Sequence, residues 1–316
     1  MKIQVGRNEL LTALQAGVGV VSQRQTLPVL ANFLLEARED ELIVTGTDLE
    51  MELVARATVQ NLAPGRVTVP ARKLFDICRG LPEGAEITLD AAADKVTLRS
   101  GKSRFSLAAL KADEFPAMGA VSGGKEIKLK RSELKSLLEK TQFAMAQQDV
   151  RYYLNGLLID ANAQRVRAVA TDGHRLAFSE RAGETGLKDA VQAILPRKSV
   201  LELSRLLDNS DAEIRLVIGQ GQVQVEIDVV RLTTKTIDGR FPDYERVIPE
   251  HGDKQVTADR ETLRRSLART AILSNEKFRG VRLQLSEGLL KLQTHNPEHE
   301  EAEEELEVDY SGSDLE

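Results

Sequence analysis

Val169-Ala-Thr-Asp-Gly-His-Arg-Leu-Ala-Phe178, in the middle of the chain, is the stretch from which the fold can be read. Asp172-Gly173 joins two runs of strand character, Arg165 to Thr171 and His174 to Arg181. A two-residue Asp-Gly link suits the left-handed backbone angles of a type I′ turn, so the stretch reads as a tight β-hairpin. Thr45-Gly-Thr-Asp-Leu-Glu-Met-Glu-Leu53 has the same plan, and Gln293-Thr-His-Asn-Pro-Glu-His-Glu-Glu301 is a looser version. Three hairpins at near-equal spacing point to a chain made of repeats.

The helices repeat as well. Arg7-Asn8-Glu9-Leu10 opens an amphipathic segment, and the phrase returns as Arg131-Ser132-Glu133-Leu134 and Arg260-Glu261-Thr262-Leu263. In the second copy Leu134, Leu137, Leu138, Thr141 and Met145 form the apolar stripe, with Arg131, Lys135 and Gln142 opposite. In the third, Leu263, Leu267 and Ala271 face away from Arg264, Arg265 and Arg269. A second helix begins at Pro70-Ala-Arg-Lys-Leu-Phe-Asp-Ile-Cys-Arg79 and again, 126 residues on, at Pro196-Arg-Lys-Ser-Val-Leu-Glu-Leu-Ser-Arg205. Phe115-Pro116 and Phe241-Pro242 keep the same offset. Turn-forming clusters near Val121-Ser-Gly-Gly124 and Pro249 to Asp253 then divide the chain into 1–122, 123–251 and 252–316. The third division has half the length of the others, and its second helix is expected near position 322. Each copy runs helix, strands, helix, strands, which predicts an α+β fold with sheets carrying helices on one side.

Composition sets the outer limits. The 316 residues are 41% hydrophobic and 29% charged, with no apolar run long enough to span a membrane and no signal-peptide core at the N-terminus. A single cysteine, Cys78, permits no internal disulfide, fits a cytoplasmic setting and reads as a small core residue. The net charge of −6 argues against a nucleic-acid partner until its distribution is considered. The five helical segments 7–16, 71–80, 131–148, 196–207 and 260–272 carry 14 Lys or Arg against 6 Asp or Glu. Basic helices on an acidic body would hold a polyanion on one surface only.

Several strings resemble the bacterial DNA sliding clamp family, the β subunit of the replicative polymerase. They are Thr47-Asp-Leu-Glu-Met-Glu52, Val69-Pro-Ala-Arg-Lys73, Gln148-Asp-Val-Arg-Tyr-Tyr-Leu-Asn-Gly156, the stretch from Val169 to Leu176, Asp238-Gly-Arg-Phe-Pro-Asp-Tyr244 and Ala271-Ile-Leu-Ser-Asn-Glu-Lys-Phe-Arg-Gly280. The resemblance covers the whole chain and implies a DNA-clamp fold, helices inside and sheets outside, whose last half-domain of about fifty residues is missing. It implies a processivity factor that encircles duplex DNA without reading sequence. In that family two subunits pair head to tail, as this chain is expected to do when complete, and DNA polymerase subunits, the clamp loader and repair proteins dock through short linear peptides. No cofactor and no membrane partner are implied. The alternative is a clamp fragment that cannot close a ring and acts only as a peptide or DNA interaction module.

By the same resemblance Arg24, Gln148, Tyr152 and Tyr153 match positions that touch DNA, and Arg72, Lys73, Arg197 and Lys198 match positions lining the hole. Singly each is an ordinary surface side chain; phosphate contacts gain force as a set. Leu154, Thr171, Gly173, His174, Arg175, Leu176, Pro242, Arg246, Val247 and Phe278 match the partner-peptide groove. Residues 93–104 carry Lys95, Arg99, Lys102 and Arg104, and residues 298–307 carry seven glutamates including Glu298, Glu300, Glu301 and Glu304. Opposite charge runs at the two ends suit a heterologous contact between copies, with Phe105, Leu107, Ile272 and Leu273 as its apolar centre by resemblance. Asp172 beside His174 has the parts of an oriented general base, but no motif places a nucleophile and the turn needs Asp172, so no enzyme activity is expected. His295 and His299, four apart in a strand-like stretch, make a weak metal signal, and none is expected. With its partner half missing, segment 254–316 is expected to be loosely held, with an open strand edge.

Overall fold

Strands alternate more and less buried side chains where one face meets the core, as Gln222–Ile227 does residue by residue between half-buried and buried. The computed structural model describes residues 1–316 except 22–26, 93, 120, 122, 250, 251 and 276. It divides into two units, Met1–Pro242 and Asp243–Glu316.

The first unit holds two copies of one plan. The first copy runs β1 (Lys2–Gly6), α1 (Arg7–Gly17), β2 (Asn32–Arg38), β3 (Glu41–Thr47), β4 (Met51–Thr58), β5 (Gln60–Ala63), β6 (Gly65–Pro70), α2 (Ala71–Gly80), β7 (Glu86–Ala92), β8 (Lys95–Ser100) and β9 (Ser103–Ala108). The second runs β10 (Lys125–Lys130), α3 (Arg131–Glu139), β11 (Gly156–Asn162), β12 (Arg165–Thr171), β13 (Leu176–Ala182), β14 (Val191–Pro196), α4 (Arg197–Leu206), β15 (Glu213–Ile218), β16 (Gln222–Ile227) and β17 (Val230–Lys235). Only β5 lacks a counterpart. Pro70 and Pro196 end a strand and occupy the N-cap of α2 and α4, since proline gives up the donor that neither position needs. Each copy has its own core, built around Leu10, Phe33 and Leu74 in one and Leu138, Leu157 and Val200 in the other. Cys78 is fully buried and its thiol is pushed up to about 12 by that burial, which leaves it unreactive.

The two copies are joined by a shared sheet. Strands β10-β15-β16-β17 of the second copy continue into β4-β3-β2-β6 of the first, giving eight strands. The join is the antiparallel pair β17–β4, with Val230 opposite Ala55 and Thr234 opposite Met51. Leu232, 1% exposed, belongs to the core of the first copy. The remaining sheets are β5-β1-β7-β8-β9 and β13-β12-β11-β14, so β9 and β13 are edge strands.

The second unit contains α5 (Arg260–Thr270), β18 (Arg282–Ser286), β19 (Leu289–His295) and β20 (Glu301–Glu307), the first half of the same plan. Asp259 caps α5, its carboxylate accepting from the Thr262 amide at 2.8 Å. The core here is small: Leu290, Leu292 and Leu306, with Leu263 and Leu267 only half-buried against them. Ala271, expected in the buried stripe, is exposed, and Ser266 and Thr270 are the buried positions of α5. Strand β20 pairs only with β19 and leaves its other edge open.

Two local expectations need correction. The helix predicted over 131–148 stops at Glu139, where the Thr141 hydroxyl donates to the Leu137 carbonyl at 2.7 Å and turns the chain out of the helix. Arg131, expected on the outer face, is 8% exposed and paired with Asp208 (3.1 Å) and Asp228.

Candidate functional site

The central hairpin turns through four residues, not two: Thr171 pairs with Leu176, and Asp172 to Arg175 form the loop. Asp172 Oδ1 accepts from the His174 and Arg175 amides at 3.0 Å each, while the Thr171 hydroxyl accepts from the Gly173 amide and donates to the Arg175 carbonyl. The first copy repeats this bond for bond, with Asp48 accepting from Glu50 and Met51 and Thr47 donating to the Met51 carbonyl. The corner has positive φ in both, +87° at Gly173 and +77° at Leu49. Glycine takes that angle without strain. In the third hairpin Asn296 bonds Glu300 across a loop one residue longer.

A second loop, 146–155, is fastened to this turn. Arg151 grips Asp149 with two bonds of 3.0 and 2.8 Å, holds its carboxyl well down at about 2, and reaches the Asp172 carbonyl at 3.3 Å. Arg175 returns the contact, donating to the Phe143 carbonyl at 2.8 Å with its guanidinium 5.7 Å from the Phe143 ring. The residues expected in the groove therefore sort themselves. Gly173, His174 and Arg175 are exposed, Leu176 is half-buried, and Pro242 is exposed; Thr171 and Leu154 are buried behind them. In the second unit Val247 and Phe278 are 67% and 75% exposed, and Arg246 is paired with Asp243 at 2.8 Å. Two contributors were missed in the sequence. Phe143, 57% exposed, was hidden inside the over-long helix, and Arg151 stands in a quoted string whose resemblance assigned it no role. The Asp172 carboxylate is committed to turn amides and to Arg175 at 3.1 Å. Among the described residues no three His, Cys, Asp or Glu side chains converge as metal ligands would.

The basic helix residues also differ among themselves. Arg72 and Lys73 on the first turn of α2 are exposed. The basic pair that opens α4 is engaged: Arg197 donates to the Met145 carbonyl at 3.3 Å, and Lys198, the counterpart of Arg72, reaches the Val20 carbonyl at 2.9 Å and Asp48 at 2.5 Å. Further along α4, Arg205 donates to the Gln15 and Ala16 carbonyls at 3.2 and 2.7 Å. Gln148 sits at positive φ beside the edge-to-face pair Tyr152–Tyr153, whose ring centroids are 5.8 Å apart; Tyr152 is 58% exposed. Arg24 lies outside the described residues.

At the sheet edges, β9 presents Phe105 half-buried and Leu107 turned inward. Ile272 is 75% exposed and Leu273 half-buried. The acidic strand β20 has two faces. Glu301, Glu303, Glu305 and Glu307 point outward, while Glu304 points inward and makes two bonds of 2.5 and 2.6 Å to Arg269 that hold its carboxyl below the usual range. Glu298 and Glu300 are exposed in the preceding loop.

A repeated helix-and-sheet unit, its first two copies joined in one strand ladder and its helices carrying cations, makes a scaffold with basic helix faces. Comparison with known proteins names the class. Residues 1–119, 128–243 and 245–316 match the N-terminal, central and C-terminal domains of the DNA polymerase III beta subunit. The chain is 50% identical to the beta sliding clamp of Pseudomonas aeruginosa over 317 residues and 51% identical to that of Escherichia coli K12 over 318. Each comparison covers all of this chain and 86% of the relative. The crystal structure of the Pseudomonas aeruginosa clamp bound to griselimycin superposes with a TM-score of 0.94 at 50% identity, again over 100% of this chain and 86% of that one. The chain belongs to the bacterial beta sliding clamp family, and its function is that of a DNA sliding clamp, the processivity factor of replication; the family is one of non-enzymatic factors.

Proposed function

We propose that this clamp encircles duplex DNA of any sequence as part of a head-to-tail pair of subunits, with three domains at 1–122, 123–251 and 252–316. The observation that carries the reading is the β17–β4 ladder inside the chain. In the repeat β17 corresponds to β9, and β4 corresponds to β20. Both of those counterparts are open edges. Carrying the internal register across puts Arg104 opposite the partner's Glu303 and Phe105 opposite the partner's Ala302. The positive run on β8 and β9 then meets the outward glutamates of β20, and Leu107, Ile272 and Leu273 are the apolar positions nearby. Glu304 serves its own subunit through Arg269. Glu298 and Glu301 are placed to face the partner beside Glu300, one of whose carboxylate oxygens accepts from the Asn296 side-chain amide at 2.7 Å.

Arg24, Arg72, Lys73, Gln148, Tyr152, Tyr153, Arg197 and Lys198 are proposed to touch the duplex. The exposed pair Arg72 and Lys73 supplies more of the phosphate attraction than Lys198, whose charge is largely met by Asp48. Polymerase subunits, clamp loader and repair proteins are proposed to dock as short peptides on Gly173, His174, Arg175, Leu176, Pro242, Arg246, Val247 and Phe278, with Thr171 and Leu154 as support. The bound griselimycin of the Pseudomonas relative supports a ligand site on this family. The setting is the bacterial cytoplasm, where replication proceeds.

The test is topological. After loading by the family's clamp loader, the protein should stay on closed circular duplex and leave within seconds when the circle is cut. Replacing Arg72, Lys73, Arg197 and Lys198 together with Ala should make the salt slope of duplex binding shallower, by about one unit per lost phosphate contact. Equal loss from circular and linear duplex sinks the encircling reading.

A further inference from the structure

We infer that Arg79 is a grip for a second copy of this chain, its guanidinium donating to the main-chain carbonyls that end α5, at Ala268 and Arg269 of the partner subunit. The inference rests on the head-to-tail pairing proposed above and deepens it, because it names a contact that the sheet edges do not supply.

The template lies within the first unit. The last carbonyls of a helix have no partners inside it and sit at the negative end of its dipole. Helix α1 has no basic residue in its last turn. The need is met from the neighbouring copy: Arg205, in the last turn of α4, donates to Gln15 and Ala16 at 3.2 and 2.7 Å. Glu202, three residues back, holds the guanidinium in place at 2.9 Å. This contact accompanies the β17–β4 ladder and belongs to the same junction.

Arg79 is the same device, its guanidinium 5.4 Å from the Phe75 ring and, among the described residues, donating to no carbonyl. It stands in the last turn of α2, 126 residues before Arg205, and Asp76 three residues back holds it at 3.1 Å. Its side chain is 65% exposed, against 38% for Arg205. Aligning Arg7 with Arg260, which open the two helices, makes Ala268 and Arg269 the counterparts of Gln15 and Ala16. The Arg269 carbonyl already accepts from the Ala271 amide, so the incoming guanidinium takes its second lone pair. Arg269 would repel an incoming cation if its charge were free, but Glu304 already engages it with two bonds. The Lys198–Asp48 ion pair of that junction does not carry over, because the counterpart of Asp48 in the third hairpin is Asn296, which bears no charge. Arg72, the counterpart of Lys198, therefore stays available to DNA.

Sedimentation equilibrium of the full chain decides the matter, with Phe105→Asp as the control for the sheet-edge pairing. The parent chain should self-associate and Phe105→Asp should not. Arg79→Ala should weaken association about 10- to 100-fold, the loss expected for hydrogen bonds to a charged donor. Arg79→Lys keeps the charge without the forked donors and should remain at least about fivefold weaker than the parent. Thermal melting of both variants, at a concentration where the parent is monomeric, should match the parent, since Arg79 is exposed in the single chain. A parent that stays monomeric overturns the pairing and this inference together. Association lost in Phe105→Asp but unchanged in Arg79→Ala overturns this inference alone. Full association in Arg79→Lys reduces Arg79 to a general charge and also overturns it.

Discussion

Arg131→Ala separates two roles that one arginine can have on a basic helix. If Arg131 is a structural cation, its loss costs stability and leaves DNA attraction alone. Two charge-assisted contacts are removed, each worth about 1.5–3 kcal/mol when the acceptor is left buried. Asp208 and Asp228 are 57% and 65% exposed and rehydrate, so each contact falls to about 1 kcal/mol or less. The buried stem of the side chain adds about 1 kcal/mol of lost apolar contact. The sum is about 2–3 kcal/mol, which for a cooperative unit of this size lowers the melting temperature by about 5–10 °C. Scanning calorimetry at neutral pH reads it, and Arg131→Met should recover the part due to the stem. The salt slope of duplex binding, measured on the same samples, should not move. A melting temperature within about 1 °C of the parent, together with a shallower slope, would falsify the structural assignment.

Glu52, 5% exposed, has its carboxyl pushed up by burial, against the opposing pull of the Met118 amide and Arg231. The folded chain thus holds that proton more tightly than the unfolded one, so the stabilisation exists at low pH and is lost as pH rises through the raised value. Glu52→Gln should melt higher than the parent at pH 7–8, and the gap should close below about pH 4.5; a lower melting temperature at pH 8 rules this out. Gly173→Ala should cost about 1–2 kcal/mol, because φ is +87° and the new methyl meets Arg151 Nη1 at 2.9 Å. Proton NMR of the 149–155 amides should show the Arg151–Asp172 contact loosened, and unchanged shifts there would contradict the coupling. For Asp149 the sign is opposite to Glu52: its depressed carboxyl contributes above the ordinary carboxylate range and is lost as pH falls towards 2, so those amides should titrate near pH 2, and a midpoint near 4 would refute the pairing.

Much of this fold could be read from the sequence because it is written more than once. The Arg-x-x-Leu phrase and the proline-led helices gave four of the five helices to within a residue or two, and the central hairpin did the same for its two flanking strands. The fifth helix ran long because nothing in Lys140 to Gln147 breaks a helix by composition; Thr141 ends it with a bond visible only in three dimensions. Arg131 opens a helix, where the face it will take is set by groups far along the chain, here Asp208 and Asp228. Periodicity says which side of a strand is buried and nothing about its neighbour, so the β17–β4 join could not be anticipated. Glu304 is the converse case. Ala302, Glu304 and Leu306 share a parity, and an acidic residue on the inward parity signals a cation facing it from the packed helix, which is Arg269.

The shared sheet also has a consequence for synthesis. Strand β4 is complete at Thr58, but the strand that covers its edge ends only at Lys235. At about 5–20 residues per second the ribosome takes roughly 10–35 s to make the intervening chain. Throughout that interval the nascent first domain shows a bare strand edge bearing Met51, Leu53, Val54 and Ala55, all buried in the finished protein, and lacks Leu232 from its core. That edge is the natural address for a chaperone on the emerging chain. It should be vacated once the second domain has cleared the tunnel.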